Sequence, residues 1–147
     1  MKATIICIGN RFVTADAAGP AVYDRLQQLA LPEHVEVIDG GLQGLNLLPL
    51  LERGGRVVFV DAVRGFAEPG TLVVLDGAEV AATEGGEHFG HEAGLRYLLT
   101  ILPKVCDGTL PEEIALVGIE GAWSPSLIDQ AAGVSVRLAV NGLQGCR

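Results

Sequence analysis

The chain has 147 residues, of which 49% are hydrophobic and 19% are charged, and its formal net charge is −8. This length fits one domain with a sizeable core, and no segment approaches the ~18 consecutive apolar residues that a membrane span needs. The acidic balance and the lack of a basic run exclude most nucleic-acid-binding proteins, because neutralising phosphates requires clustered Lys and Arg.

The first half of the chain alternates apolar runs with helical patterns. The continuous apolar run 3–8 predicts a strand covered on both faces. The spacing of the next apolar residues predicts a helix over about 16–30. A strand at 35–38, a short leucine-rich helix at 43–51 and a third strand at 56–60 follow.

The second half continues the alternation. A fourth strand is predicted at 71–75, and the polar, glycine-rich segment 76–90 predicts a long loop. A leucine stripe predicts a helix at 91–102, which ends before a proline. A fifth strand is predicted at 113–119, and a serine followed by a proline marks the start of a last helix at 125–141.

Alternating strands and helices predict an α/β fold. We expect a single domain, 1–147, with a doubly wound, mostly parallel five-stranded sheet flanked by helices and joined by right-handed crossovers. The three cysteines are widely spaced, which argues against a disulfide framework, and the first residues show no signal-peptide pattern. We therefore expect a cytoplasmic protein, a monomer without a membrane or nucleic-acid partner.

Acidic residues accompany several predicted strands, and one histidine opens a predicted helix. Asp16 follows the first strand, Asp61 closes the third strand, and His91 begins the helix at 91–102. In a doubly wound sheet the carboxyl ends of the strands meet at one edge, where ligands bind. Two carboxylates and an imidazole at that edge predict a divalent metal site. Asp39 and Glu120 leave strands at the same edge.

Each of these residues also has a structural interpretation. Asp61 follows four apolar residues, so we expect it to be buried, and a buried carboxylate needs a partner or a metal. Asp16 fits the first turn of a helix equally well, where an acid interacts favourably with the helix dipole. Asp39 precedes two glycines, where an Asx turn is the default explanation. His91 fits a helix cap, and a lone histidine in that position is more often a cap than a ligand.

Other catalytic motifs are missing from the sequence. There is no Gly-x-Ser-x-Gly elbow, no glycine-rich phosphate loop and no His-Glu-x-x-His helix. Cys7 lies inside the first predicted strand, where we expect a buried and unreactive thiol.

Five short blocks, in this order and at matching distances, make the chain similar to the hydrogenase maturation endopeptidases of nickel–iron hydrogenases. Most of the chain carries them: Cys7-Ile8-Gly9-Asn10 with Thr14-Ala15-Asp16 and Gly19, then Asp39-Gly40-Gly41-Leu42-Gln43-Gly44, then Val60-Asp61-Ala62, then His91 at the start of a leucine-rich helix, and then Gly118-Ile119-Glu120. Four positions depart from the family pattern: Cys7, Ala15, Leu42 and Gly121.

The resemblance implies a twisted sheet and a peptidase that removes a C-terminal extension from the hydrogenase large-subunit precursor after nickel insertion. It implies that Asp16, Asp61 and His91 are metal ligands that recognise nickel presented by the substrate. No resident organic cofactor is expected. We expect Asp39 to orient a ligand or to act as a general base.

Other functions are compatible with parts of the sequence. A non-enzymatic nickel-binding chaperone or assembly module for hydrogenase would use the same ligands without cutting the precursor. Peptidyl-tRNA hydrolases also begin with a strand and a Gly-Asn turn, but they need a basic face and a histidine near the first helix, which this sequence lacks. The missing phosphate loop disfavours a nucleotide-binding domain.

Overall fold

The computed structural model describes residues 1–83 and 94–145. Its strands form one sheet in the order β2-β1-β3-β5-β4. Their bounds are β1 Ala3–Ile8, β2 Val35–Gly41, β3 Arg56–Val63, β4 Thr71–Asp76 and β5 Glu113–Glu120. The first four strands in the spatial order pair in parallel, and β4 pairs antiparallel with β5 at one side of the sheet. The prediction of a mostly parallel five-stranded sheet is therefore confirmed.

Helices connect these strands and cover both faces of the sheet. Their bounds are α1 Ala18–Leu26, α2 Leu48–Leu51, α3 Gly77–Ala82, α4 Leu95–Val105 and α5 Pro125–Asn141. Short 3-10 turns precede α1 and α2 and follow α5, at Thr14–Asp16, Gly44–Leu47 and Leu143–Gly145. No helix within 1–83 and 94–145 combines the length and the apolar character needed to cross a bilayer.

Two apolar cores lie on opposite faces of the sheet. One core joins the sheet to α1 and α5, and the other joins it to α2, α3 and α4. All six residues of β1 are buried, because this central strand contributes alternate side chains to both cores. The continuous apolar run at the start of the sequence thus reflects a strand with helices on both sides, as a doubly wound fold requires.

The segment that the sequence predicted as a long loop, 76–90, begins with a helix. Asp76 Oδ1 accepts a hydrogen bond from Glu79 N at 2.8 Å, and Glu79 Oε1 accepts one from Asp76 N at 3.1 Å. This reciprocal capping box initiates α3. The Asp-x-x-Glu spacing in the sequence is typical of a capping box and thus of a helix start. The many glycines and glutamates of the whole segment favoured a loop instead.

Helix α4 differs from its prediction at both ends. Its first residue is Leu95, preceded by Gly94 in the left-handed conformation, and His91 lies outside the described residues. The helix continues past Pro103 to Val105, and Cys106 N donates to Leu102 O at 3.1 Å. A proline this close to the end of a helix removes one backbone donor, and the burial of the leucine stripe outweighs that loss.

Two strands extend further than predicted, which changes the setting of two acids. Strand β2 continues to Gly41 and β3 continues to Val63, so Asp39 and Asp61 lie inside strands rather than directly after them. The ladder with β5 runs on through Asp61, which pairs with Gly118. Pairing with a neighbour can extend a strand across a polar residue, and a single sequence does not reveal that neighbour.

Candidate active site

The strand order places a topological switch point, the position of the ligand crevice in open α/β sheets, at the carboxyl end of β1. From β1 the chain crosses one face through α1 to reach β2, and then returns over the other face through α2 to reach β3 on the opposite side of β1. The segments leaving β1 and β2 therefore diverge to opposite faces. Open α/β sheets bind ligands at such a switch point.

Asp61 lies in β3 at the side of this crevice. Its side chain is 0% exposed, and the preceding residues of β3, Val57 to Val60, are buried apolar side chains. Placing a carboxylate in such a setting is costly unless a cation, a proton or hydrogen-bond donors compensate. The predicted burial of Asp61 is confirmed.

Asp16 is held at the same edge by a tight loop after β1. Asn10 N donates to both Asp16 O and Asp16 Oδ2, each at 3.0 Å. The 3-10 turn that carries Asp16 also contacts β3, the strand of Asp61. The structure therefore brings these two predicted residues to one edge of the sheet. Asp16 precedes α1 in a separate turn, so it is not a first-turn residue of a continuous helix.

Two glycines allow this loop to lie close to the strand. Gly9 has φ +144°, and a Cβ there would lie 2.3 Å from Asp16 O. A Cβ at Gly19 would lie 2.0 Å from Ile8 O. Any larger residue at either position would displace the loop or α1 from the end of β1. The glycines therefore help to set the position of the Asp16 backbone.

Asp39 occupies a more exposed position on β2. Its Oδ1 accepts a hydrogen bond from Gly41 N at 3.3 Å, the Asx-type contact that its sequence context indicates. Its Oδ2 lies 3.6 Å from Arg11 Nη2. Arg11 also binds Asp24 at 3.1 Å, and this hydrogen bond, together with the charges of Asp24 and Asp39, raises the pKa of the guanidinium. Sequence reasoning did not identify Arg11 as the link between these segments.

Glu120 has a structural role at this edge that the sequence did not reveal. Its Oε1 accepts hydrogen bonds from Phe66 N at 2.8 Å and Ala67 N at 3.1 Å, and its Oε2 accepts one from Gly65 N at 3.1 Å. One buried carboxylate thus satisfies three backbone donors of the loop between β3 and β4. The only available signal was the position of an acid at a strand end opposite a glycine-rich loop.

Cys7 is buried in β1, as predicted. Burial raises the pKa of its thiol, and the negative charges of Asp39 and Asp24 raise it further. A thiol that resists ionisation is a poor nucleophile. The structure therefore agrees with the interpretation of Cys7 as an unreactive core residue.

The predicted metal site stays a prediction. His91, its third proposed ligand, lies outside the described residues. Among residues 1–83 and 94–145, no three His, Cys, Asp or Glu side chains are grouped closely enough to hold a metal ion. Asp16 and Asp61 offer oxygen donors at a shared edge, which suits a divalent cation when a further ligand is added.

Comparison with known proteins yields a consistent family. A family model described as hydrogenase maturation protease matches residues 20–134. The chain is 31% identical over 121 residues to the hydrogenase 2 maturation protease of Escherichia coli, covering 81% of this chain and 73% of that protein. It is also 31% identical to the hydrogenase expression/formation protein HupD of Rhodobacter capsulatus, covering 96% of this chain and 65% of HupD.

Solved structures agree with the sequence comparisons. The hydrogenase maturating endopeptidase HybD of Escherichia coli has a TM-score of 0.74 at 28% identity, covering 90% of this chain and 88% of HybD. A solution structure of an endopeptidase from Escherichia coli has a TM-score of 0.76 at 25% identity, covering 99% of this chain and 93% of that one. With its sheet order, its edge acids and these matches, the chain belongs to the hydrogenase maturation protease family and is a peptidase.

Proposed function

We propose that this peptidase removes the C-terminal extension of a nickel–iron hydrogenase large-subunit precursor after nickel insertion. Two of its relatives are named as proteases that mature a hydrogenase, one from Escherichia coli and one from Thermococcus kodakarensis. Asp16, Asp61 and His91 recognise the nickel that the precursor carries. Cleavage is then restricted to precursors in which the metal has already been inserted.

One observation carries this proposal: the complete burial of Asp61 at the carboxyl end of β3, beside the loop that positions Asp16. A buried carboxylate interacts strongly with a cation because little water screens the two charges. The pair of carboxylates would neutralise the two charges of a divalent ion, and imidazole is a common ligand for nickel. The donor chemistry therefore fits a metal that arrives with the substrate.

The chain's own residues perform two tasks in the proposed reaction. Asp16 and Asp61 anchor the metal-bearing part of the precursor, which sets the register of the scissile peptide. Asp39, half-exposed and fixed by Arg11 and Gly41, orients a ligand or accepts a proton from the attacking water. Water adds to the peptide carbonyl, the C–N bond breaks, and the proton passes to the leaving amine. The substrate's nickel supplies a positive charge that favours this addition.

The direct test uses the nickel-loaded large-subunit precursor from the same organism. Wild-type protein should produce a shorter large subunit, detected as a loss of mass, and the nickel-free precursor should stay intact. Asp61→Asn keeps the side-chain volume and His91→Ala removes the imidazole; each should lower processing by at least about 100-fold. Glu36→Gln, which alters an exposed ion pair with Arg53, is the control and should process normally.

Two outcomes would contradict the proposal. Normal processing by both Asp61→Asn and His91→Ala would remove their assigned role, provided that circular dichroism shows folded proteins. Binding of the nickel-loaded precursor by the wild-type protein without any loss of mass would favour the assembly-module alternative.

A further inference from the structure

Five large apolar side chains are exposed on the segments that leave the carboxyl ends of β1, β2 and β5. We call this set the apolar rim, and its members are Phe12, Val13, Leu42, Leu45 and Trp123. Phe12 is 91% exposed. Exposed apolar side chains at the edge that holds a candidate active site are candidate contacts for the molecule on which that site acts.

The first part of the apolar rim is built on two segments that are held together. Gly9 N donates to Gly41 O at 3.0 Å, which joins the residue after β1 to the last residue of β2. Phe12 lies three residues after this link and Leu42 lies one residue after it. Asn10 Oδ1 accepts a hydrogen bond from Phe12 N at 2.9 Å, so the backbone that presents Phe12 to solvent is fixed.

The second part of the apolar rim lies on the other side of Asp61. Strand β3, which carries Asp61, stands between β1 and β5 in the sheet. Trp123 follows the end of β5 by three residues. Strands in a sheet are spaced about 4.8 Å apart, so the distance from β2 to β5 is about 14 Å. An extended peptide of about four residues spans that distance at about 3.3 Å per residue.

We propose that the apolar rim is the docking surface for the hydrogenase precursor, which presents apolar side chains on both sides of its scissile peptide. This inference rests on the proposed function and names the substrate chemistry that the same site recognises. The chain is a peptidase, and Asp61 lies at the edge that the apolar rim borders. A polypeptide laid across this edge from β2 to β5 would run between the segments that carry Phe12 and Leu42 and the segment that carries Trp123. A second copy of the chain on this surface would instead block the crevice.

The test compares apolar rim residues with matched residues at the opposite edge of the sheet. Leu45→Ser and Val13→Ser change side chains that are 50% and 47% exposed. Leu110→Ser and Val105→Ser change side chains of the same types that are 46% and 42% exposed; Val105 ends α4, and Leu110 lies between α4 and β5. All four changes are at the surface, and thermal unfolding should confirm that they leave the fold intact.

Steady-state processing of the nickel-loaded precursor is the main measurement. The double variant Val13→Ser/Leu45→Ser should raise KM by about tenfold and leave kcat within about twofold, because docking energy is lost while the reacting groups are unchanged. Phe12→Ser should have an effect of the same kind. The double variant Val105→Ser/Leu110→Ser should match wild type. Equal increases in KM for the variants at both edges, or no increase for the apolar rim variants, would overturn the docking proposal.

Failure of the proposed function can be distinguished from failure of the docking proposal. If wild type does not cleave the precursor, the same variants are compared by equilibrium binding to it, and about tenfold weaker binding of the apolar rim variants alone would support docking. Wild type that neither binds nor cleaves the precursor would overturn both proposals. Sedimentation of a wild-type dimer that Phe12→Ser dissociates would assign the surface to self-association and would also overturn docking.

Discussion

The two edges of the sheet use charged side chains in different ways. At the amino edge, Arg56 Nη1 donates to Val140 O at 2.7 Å, and Glu113 Oε1 accepts from Leu143 N at 2.6 Å. These contacts close the end of α5 onto the sheet. At the carboxyl edge, Asp61 is fully buried and Asp16 is held by backbone contacts beside β3. Charges thus complete the fold at the amino edge, whereas at the carboxyl edge Glu120 has such a role and Asp16 and Asp61 form the candidate active site.

Exposed apolar surface does not by itself distinguish the two edges. The amino edge also carries exposed Val105 and Leu110, and a groove of about 590 Å³ lies beside Leu110 between α3, α4 and the start of β5. The carboxyl edge is distinguished by Asp16 and Asp61 and by the loop that packs closely against β1 through Gly9. The reason is topological, because parallel strands send all their carboxyl ends, with the following loops, to one side.

The largest effect is expected for Gly19→Ala. Its new Cβ would lie 2.0 Å from Ile8 O, so α1 and the Asp16 turn must move away from the end of β1. We expect a loss of about 3 kcal/mol in the free energy of unfolding, measured by urea denaturation. Processing should also fall by about 100-fold, because a displacement of about 1 Å is enough to misplace a ligand.

A second helical glycine provides the control for this variant. Gly133 lies in α5, and the nearest atom to a Cβ there is Arg137 Nη1 at 3.6 Å, an ordinary contact. Gly133→Ala should stabilise the protein by about 0.5–1 kcal/mol, because alanine favours the helix. Equal stability changes in the two variants would show that the close approach at Gly19 does not hold the loop.

An intermediate effect on stability is expected for Glu120→Gln. The amide keeps one acceptor oxygen but loses the charge and leaves a backbone donor of the 65–67 loop without its carboxylate. We expect a loss of about 2 kcal/mol in urea denaturation. Asp61→Asn keeps the side-chain volume and should lower stability less than Glu120→Gln does, because removing the buried charge also removes the free-energy cost of burying it. Destabilisation by Asp61→Asn as large as that by Glu120→Gln would make both acids structural.

The smallest effect concerns pH and the buried thiol of Cys7. Its pKa is raised in the folded protein above the ordinary thiol value of about 8.5. The folded state therefore retains a proton that the unfolded state releases above that pH, so this contribution to stability is complete below about pH 8.5 and declines as pH rises. At pH 9.5 the expected loss is about 1.4 kcal/mol relative to neutral pH.

Urea denaturation at pH 7.5 and 9.5 measures this loss. Cys7→Ala should show a smaller decrease between the two pH values than wild type, whatever its stability at pH 7.5. Cys106→Ala, which changes a half-buried thiol near the amino edge, should keep the wild-type decrease. A decrease of wild-type size in Cys7→Ala would mean that other groups control the alkaline limit.

Apolar runs and helix caps in the sequence predicted much of the fold, because the interactions that they report act between residues close together in the chain. The bounds of β1 and α5 were correct, since β1 is a buried apolar run and α5 begins at a serine cap, with Ser124 Oγ accepting from Leu127 N at 3.2 Å. The missed helix α3 also had a local signal in its capping box. The extra length of β2 and β3 had none, because partners distant in the chain stabilise those residues.

The sequence by itself determined the fold class, the family and the acids worth examining, because periodicity, caps and short motifs are properties of neighbouring residues. Only the tertiary structure decided how similar acids differ: Asp61 is enclosed in the core, Asp39 is paired with Arg11 at the surface, and Glu120 binds three backbone donors. The environment of each carboxylate depends on strands and loops that are far apart in the chain. Packing brings those segments together, and no local pattern records which of them will meet.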